Sequence, residues 1–257
     1  MARLNTILLF TMISWMTYSS AVEVELTSLD KLSTVTMCVD PDWLPYEGLD
    51  EEGNHIGLVA EYIAVLKNKV GIAIQVVKTK NWQESQQYYR EKKCDIVSAL
   101  NATKERANYL AFTEPYLSSP VVLVLNGMNQ SDTFLSDLNG KTLSMVPGYV
   151  YESKLRADYP AIKIVHVANM KIAFQQVSSG KVTATLAPLF LTFALTQRTP
   201  LDNLKIMGQT EYTDELRIGI QNDNLPLAIL LDKAVSNLTS EDHRNVRKSW
   251  AAKALNW

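Results

Sequence analysis

The sequence predicts an α/β protein built from two units of similar size, each a mostly parallel sheet flanked by helices. Strand-like and helix-like segments alternate after residue 33, and the alternation runs through two successive series that meet near Pro120. Of the 257 residues, 47% are hydrophobic, which is enough apolar material for two cores. Strands separated by helices favour right-handed crossovers and therefore parallel neighbours.

The first series contains three predicted strands and two predicted helices. The helix at 57–71 has its apolar residues at helical spacing, whereas the helix at 82–92 is polar. The predicted strands are short and apolar: TVTMCVD (34–40), IAIQVV (72–77) and DIVSAL (95–100).

The second series repeats this rhythm and is followed by two closing helices. Its predicted strands are VVLVLN (121–126), KTLSMV (141–146), KIVHV (163–167), VTATLA (182–187) and LRIGI (216–220). Helices are predicted from about Val150, at 170–180, at 188–197, at 225–238 and at 240–255.

The chain is expected to cross between the two units twice. FTEPYLSSP (112–120) contains prolines and suits an extended crossing, and LRIGI can carry the chain back. We expect residues 22–118 and 221–257 to form one lobe and residues 119–220 the other, with a small-molecule cleft between them.

The N-terminus has the pattern of a cleaved signal peptide. Arg3 precedes the apolar run ILLFTMISWM (7–16), and small residues at Ser19 and Ala21 suit cleavage after Ala21. A retained anchor is the alternative, but the run is shorter than the roughly 20 residues that a spanning helix needs. Residues 1–21 are therefore expected to be a signal peptide that directs export, and no later segment is apolar enough to cross a membrane.

Export would permit a disulfide, and the chain has two cysteines, Cys38 and Cys94. Cys38 lies near the end of its predicted strand, and Cys94 begins the strand-like phrase CDIVSAL. If those strands are parallel neighbours that end level, the offset is on the order of 15 Å. A disulfide needs Cα atoms within about 7 Å. The sequence therefore predicts two free thiols.

Charge and motif content exclude several classes of function. The net charge of −2 gives no electrostatic basis for binding nucleic acid. The three histidines form no metal-spaced cluster, and glycine-rich phosphate loops are absent, so no cofactor is expected. Glu47, Glu114 and Glu152 could in principle serve acid–base chemistry, but no enzyme motif accompanies them.

Eight phrases of the sequence occur in a characteristic order: DPDWLPYE (40–47), DEEGNHIGLVAEYI (50–63), NWQES (81–85), KKCDIVSALNATKER (92–106), FTEPYL (112–117), DLNGKTLSMVPG (137–148), SGKVTATLA (179–187) and ELRIGI (215–220). Together they resemble the family 3 extracytoplasmic solute-binding proteins, whose Venus-flytrap domains serve transporters and sensor kinases. The resemblance covers nearly the whole chain after the signal peptide and implies a two-lobed fold.

The resemblance implies that Arg106 holds the carboxylate of the ligand. A guanidinium can bind a carboxylate through two parallel hydrogen bonds. The alternative is an ordinary solvated arginine on a short helix. Asn101, at the end of the preceding strand, matches a family position that contacts the ligand, although it could equally be a turn residue.

The resemblance also places Asp40, Trp43 and Trp82 at the ligand. The family has an aromatic residue at the position of Trp43, where it packs on the ligand, and an apolar pocket wall at the position of Trp82. Two indoles could clamp a flat or apolar group, but core packing is an open alternative for both.

The second unit departs from the pattern of the amino-acid binders in the family. Those proteins place an aspartate where this chain has Pro188, and that aspartate pairs with the ammonium group of the ligand. A small hydroxyl residue is replaced by Tyr149 and Val150 after Gly148, where a helix start still offers N–H groups to an anion. The expected ligand is therefore a small carboxylate other than a standard α-amino acid.

The expected function is that of a monomeric periplasmic solute-binding protein that closes on its ligand and serves an inner-membrane permease of the ABC type. The alternative is a flytrap module that senses a ligand for a receptor kinase. A dehydratase-type enzyme on the same fold is a minor alternative.

Overall fold

The computed structural model describes residues 34–127, 134–198, 201 and 203–254. The predicted signal peptide lies outside these ranges. Within them, twelve strands and seven α-helices form two sheets with helices packed on the larger one. No helix in the described parts has the length and apolar character needed to span a bilayer.

The strands are β1 (Thr34–Cys38), β2 (Asp42–Trp43), β3 (Glu47–Leu49), β4 (His55–Ile56), β5 (Ala73–Val76), β6 (Ile96–Leu100), β7 (Leu110–Phe112), β8 (Leu117–Asn126), β9 (Thr142–Met145), β10 (Lys163–His166), β11 (Ala184–Pro188) and β12 (Leu204–Gln221). The helices are α1 (Leu58–Val70), α2 (Trp82–Arg90), α3 (Tyr151–Asp158), α4 (Met170–Ser178), α5 (Leu189–Arg198), α6 (Leu225–Ser236) and α7 (Ser240–Ala254).

The larger sheet is parallel at both ends and antiparallel in the middle. Its order is β10-β9-β11-β8-β12-β6-β1-β5, and β7 also pairs with β12. We call β5, β1 and β6 the first parallel group and β10, β9 and β11 the second parallel group. The antiparallel strands β8 and β12 join the two groups.

Helix ends follow from short polar residues and glycines at the boundaries. Asn81 accepts a hydrogen bond from the backbone N–H of Glu84 and so caps α2, and Asn169 caps α4 in the same way. Gly71 ends α1 in the left-handed conformation at φ 71°. The structure confirms the predicted helices within a few residues of their expected bounds.

Each parallel group has its own buried core. Helices α1 and α2 cover the first parallel group, and α1 also packs on α6 and α7. Helices α4 and α5 cover the second parallel group and β8. The second core is built from apolar side chains of these strands, of their flanking loops and of helix α3, among them Leu123, Leu143, Met145, Leu155 and Leu186.

The prediction of two free thiols is wrong, because Cys38 and Cys94 form a disulfide with Cα atoms 5.7 Å apart. The strands do not end level: Cys38 is the last residue of β1 but pairs with Val97, inside β6. Cys94 lies in the turn before β6 and outside the strand, so the rise per residue of a strand does not describe its position.

The strand predicted at 216–220 is much longer in the structure. β12 begins at Leu204, pairs with β8 as far as Leu216, and pairs with β6 from Arg217 onward. The first half of β12 is mostly polar, so the apolar pattern in the sequence predicted only residues 216–220 as a strand.

Candidate ligand-binding site

A small cavity lies where β1 and β6 end and where the loop before α3 approaches them. Its volume is about 30 Å³, room for on the order of two waters, so a larger ligand requires its walls to separate. The lining residues are Asp40, Trp43, Trp82, Ala99, Leu100, Asn101, Arg106, Gly148, Tyr149, Val150, Tyr151, Asp214 and Leu216.

The structure brings every predicted site residue except Pro188 to this cavity. Pro188 is buried at the end of β11, where it pairs with Val121, and does not line the cavity. The sequence reasoning missed Tyr151 and Asp214. Asp214 lies just before the apolar LRIGI segment, and only that segment was predicted as a strand. No sequence motif marked Asp214 as a site residue.

Arg106 connects the two sides of the cavity. The residue starts a short 3-10 turn, and its backbone N–H donates to Thr103 Oγ1 at 3.1 Å. Its Nη1 donates to the backbone oxygen of Asn101 at 2.7 Å, and its Nη2 donates to the backbone oxygen of Gly148 at 2.9 Å. Although the side chain is only 7% exposed, none of the ion pairs among the described residues involves it. Burial lowers the pKa of the guanidinium.

Gly148 allows the loop before α3 to come close to α2. Its φ of +83° is favourable for glycine, and a Cβ there would lie 2.4 Å from the side chain of Gln86. The close approach places the carbonyl of Gly148 within reach of Arg106.

Asn101 is held by β12 through its side chain. Its Nδ2 donates to Asp214 Oδ1 at 2.7 Å, and its Oδ1 accepts from the backbone N–H of Glu215 at 2.9 Å. The hydroxyl of Tyr151 donates to the other oxygen of Asp214. Burial raises the pKa of Asp214, and the hydrogen bonds from Tyr151 and Asn101 partly oppose that shift.

Asp40 is a buried carboxyl without a cationic partner in the described parts of the chain. Its Oδ1 accepts from the backbone N–H of Asp42 at 3.1 Å, and its Oδ2 accepts from the Tyr149 hydroxyl at 3.4 Å. Burial, with a smaller contribution from nearby Glu47, raises the pKa of Asp40 to about 8. The carboxyl is therefore predominantly protonated at neutral pH and can donate a hydrogen bond.

Trp43 and Trp82 supply the aromatic part of the wall. Trp43 stacks on Tyr46 with ring centroids 4.7 Å apart and meets Tyr149 edge-on at 6.0 Å. Trp82 is the first residue of α2 and packs near Tyr89. Both indoles are more than nine-tenths buried.

No group of three or more potential metal ligands occurs within the described ranges. The wall instead combines one guanidinium, two buried carboxyls, indoles and tyrosines. Such a wall can enclose a small polar organic molecule with an anionic group.

The fold is the two-lobed fold of periplasmic binding proteins. The periplasmic VFT2 domain of BvgS from Bordetella pertussis matches with a TM-score of 0.80 at 19% identity, covering 89% of this chain and 97% of that domain. At that identity the match concerns the fold alone.

The chain belongs to the bacterial extracellular solute-binding proteins, family 3, whose pattern it matches over residues 35–253. The virulence sensor protein BvgS of Bordetella pertussis is 20% identical over 195 residues. That match covers 76% of this chain but only 16% of BvgS. A probable amino-acid ABC transporter-binding protein of Haemophilus influenzae is 23% identical over 203 residues, which cover 79% of this chain and 77% of that protein.

Proposed function

We propose that this protein captures a small carboxylate-bearing ligand between its two lobes, closes on it, and delivers it to a transporter of the ABC type. The observation that carries the proposal is the buried guanidinium of Arg106, which lines the cavity and has no acidic partner in the described residues. Two of its five N–H groups reach backbone carbonyls. The remaining donors suit a carboxylate, which binds a guanidinium through charge-assisted hydrogen bonds.

The two crossing strands support the proposed lobes, residues 22–118 with 221–257 and residues 119–220. β8 and β12 connect the two parallel groups, and the cavity is lined by residues that follow strands of each group, such as Asn101 after β6 and Tyr149 after β9. Arg106 and Asp40 come from one proposed lobe, and Gly148 and Tyr149 come from the other. Contacts across the cavity are therefore contacts that closure would make.

The ligand is proposed to be a carboxylate other than a standard α-amino acid. Pro188 stands where the amino-acid binders place the aspartate that holds the ammonium group, and it offers no side-chain acceptor. Asp214 is already bonded to Asn101 and Tyr151. Micromolar binding of ordinary L-amino acids would contradict this part of the proposal.

The proposed location is the periplasm, after cleavage behind Ala21, with a monomeric protein that meets an inner-membrane permease. A mature N-terminus at Val22 in protein recovered from the periplasm is the expected result of N-terminal sequencing. An uncleaved N-terminus would contradict it.

Sensing is the second candidate function, because the BvgS similarity involves a sensor protein and a flytrap domain of that sensor. In this alternative the closed form is recognised by a receptor kinase instead of a permease. Neighbouring genes distinguish the two: permease and ATPase genes support transport, whereas a kinase gene supports sensing.

The Arg106→Ala variant tests the shared part of both functions. Removing one partner of a buried charge pair costs about 3–5 kcal/mol, so affinity for a carboxylate should fall by about a hundredfold or more. Native mass spectrometry identifies a co-purified ligand, and calorimetry with that ligand or with a carboxylate panel measures the loss.

Arg156→Ala is the matched control, because Arg156 is exposed and pairs with Glu152 on the surface of α3. It should leave binding unchanged. If Arg106→Ala unfolds cooperatively and binds carboxylates as tightly as the unmodified protein, the proposal is wrong.

A further inference from the structure

Two residues of the cavity wall carry a buried hydrogen-bond donor that has no acceptor among the described residues. The indole nitrogens of Trp43 and Trp82 are each buried and have no hydrogen-bond partner among the described residues. Both residues belong to the cavity wall, and both side chains are more than nine-tenths buried. The two donors come from different elements, the β2 strand and the first turn of α2.

A buried N–H without an acceptor destabilises a fold, at a cost of about 1–3 kcal/mol. Most buried indole N–H groups therefore find a partner. Two unpaired donors on one small cavity indicate that the acceptors come from what the cavity binds.

The acceptors of the wall itself are engaged elsewhere. Asp40 accepts from the backbone of Asp42 and from Tyr149, and Asp214 accepts from Asn101 and Tyr151. Ala99, Leu100 and Leu216 add apolar side chains to the wall. The cavity therefore offers a ligand more donors than free acceptors.

We propose that the ligand carries a second hydrogen-bond-accepting oxygen group besides the carboxylate on Arg106, and that the indole N–H groups of Trp43 and Trp82 bind it. This inference rests on the proposed function, because it assigns the far end of the same carboxylate ligand. The two tryptophans then determine specificity by donating hydrogen bonds, and the ligand class is a small dicarboxylate or a carboxylate with a carbonyl group.

Matched pairs of carboxylates test the proposal by calorimetry on the purified protein. Butyrate is compared with succinate and succinamate, and benzoate is compared with terephthalate. Within each set the carboxylate is kept and a second acceptor is added. We expect the second acceptor to raise affinity by about tenfold, the effect of pairing a buried donor. If both succinamate and succinate bind more tightly than butyrate, a neutral acceptor is sufficient. If only succinate binds more tightly, the second group must be a carboxylate.

Trp43→Phe and Trp82→Phe remove the N–H and keep an aromatic ring. In each variant, the ratio of the affinity for the ligand with the second acceptor to the affinity for the ligand without it should fall towards one. A change that affects both ligands equally cancels in this ratio, so the ratio reports only on the added group. Trp250→Phe is the control: Trp250 packs on Phe190 outside the cavity wall, so the ratio should not change.

Two outcomes separate this inference from the proposed function. If butyrate or benzoate binds through Arg106 but the second acceptor adds nothing, or if both Phe variants keep the ratio, this inference is overturned and the proposed function stands. If no carboxylate binds to the unmodified protein, the proposed function is overturned and this inference with it.

Discussion

Two neighbouring polar regions of this protein differ in how completely their buried groups are paired. The first, which we call the Glu47 cluster, consists of Glu47, His55 and Ser98. Glu47 is fully buried and accepts hydrogen bonds from the backbone N–H of Asp40 at 2.8 Å, from Ser98 Oγ at 2.5 Å and from His55 Nε2 at 3.0 Å. The second region is the cavity wall. Asp40 belongs to this wall, and its backbone N–H connects the wall to Glu47.

The cavity wall leaves several groups incompletely paired. Arg106 has no acidic partner in the described residues, Asp40 has no cationic one, and the indole nitrogens of Trp43 and Trp82 lack acceptors there. Complete pairing is what a structural polar cluster needs, since each unpaired buried group costs free energy. Under the proposed function, the incompletely paired groups of the cavity wall are those that a bound ligand would pair, whereas the Glu47 cluster is complete without one.

The largest expected effect on stability lies in the Glu47 cluster. Glu47→Ala would strand three buried donors, so the free energy of unfolding should fall by about 3–5 kcal/mol. Chemical denaturation measures the change, with the exposed Glu51→Ala as control. A loss below 1 kcal/mol would show that the cluster does not hold the fold, and the contrast with the cavity wall would disappear.

The disulfide is expected to have the next largest effect. Cys38 and Cys94 join positions 56 residues apart beside the Glu47 cluster, where the backbone oxygen of Cys38 faces Ser98 Oγ at 3.4 Å. Replacing both cysteines by serine should lower the free energy of unfolding by about 2–4 kcal/mol. Carboxylate affinity should change little, because neither cysteine lines the cavity. Alkylation without reductant, followed by mass spectrometry, should show no adducts on the unmodified protein, and two adducts would contradict the disulfide.

A smaller, pH-dependent effect is expected at Asp40. Its folded-state pKa of about 8 lies above the ordinary value of about 3.9. Between these values the folded state keeps a proton that the unfolded state has released. The stability from this group is therefore fully present below about pH 4 and is lost as pH rises through 8.

Asp40→Asn should remove this dependence. Between pH 6 and 7 the unmodified protein should lose up to about 1.4 kcal/mol more than the variant, the value of one proton over one pH unit. Burial raises the pKa of Asp214 too, so some dependence of the same sign remains in the variant. Identical pH profiles for the two proteins would mean that Asp40 does not keep its proton in the fold.

Much of the fold was predictable because the spacing of apolar residues along the sequence indicates which face of a helix or strand is buried. Helix α1 shows its apolar residues at helical spacing and ends at Gly71, and the structure places it at Leu58–Val70. The first half of β12 could not be found in this way. Its side chains are mostly partly buried or exposed, and its partner β8 lies about 80 residues earlier in the chain.

The candidate site was only partly predictable for a related reason. Family phrases located Arg106, Trp43 and Asp40, which follow strand ends in recognisable motifs. Asp214 reaches the site through the long-range pairing of β12, and no motif near Asp214 in the sequence indicates this position. The disulfide was missed because strand register and the turn before β6 decide its geometry, and neither is visible as a pattern.

The continuous β12 strand constrains how the two lobes can move. Eighteen residues of one strand pair first with β8 and then with β6, so the connection is a hydrogen-bonded ribbon and not a loose tether. The pairing register shifts three times, between Ile206 and Gln209, between Gln209 and Thr213, and between Arg217 and Gly219. Any separation of the cavity walls must therefore be accommodated by twisting of this strand, and the positions of irregular pairing are where such a twist can concentrate.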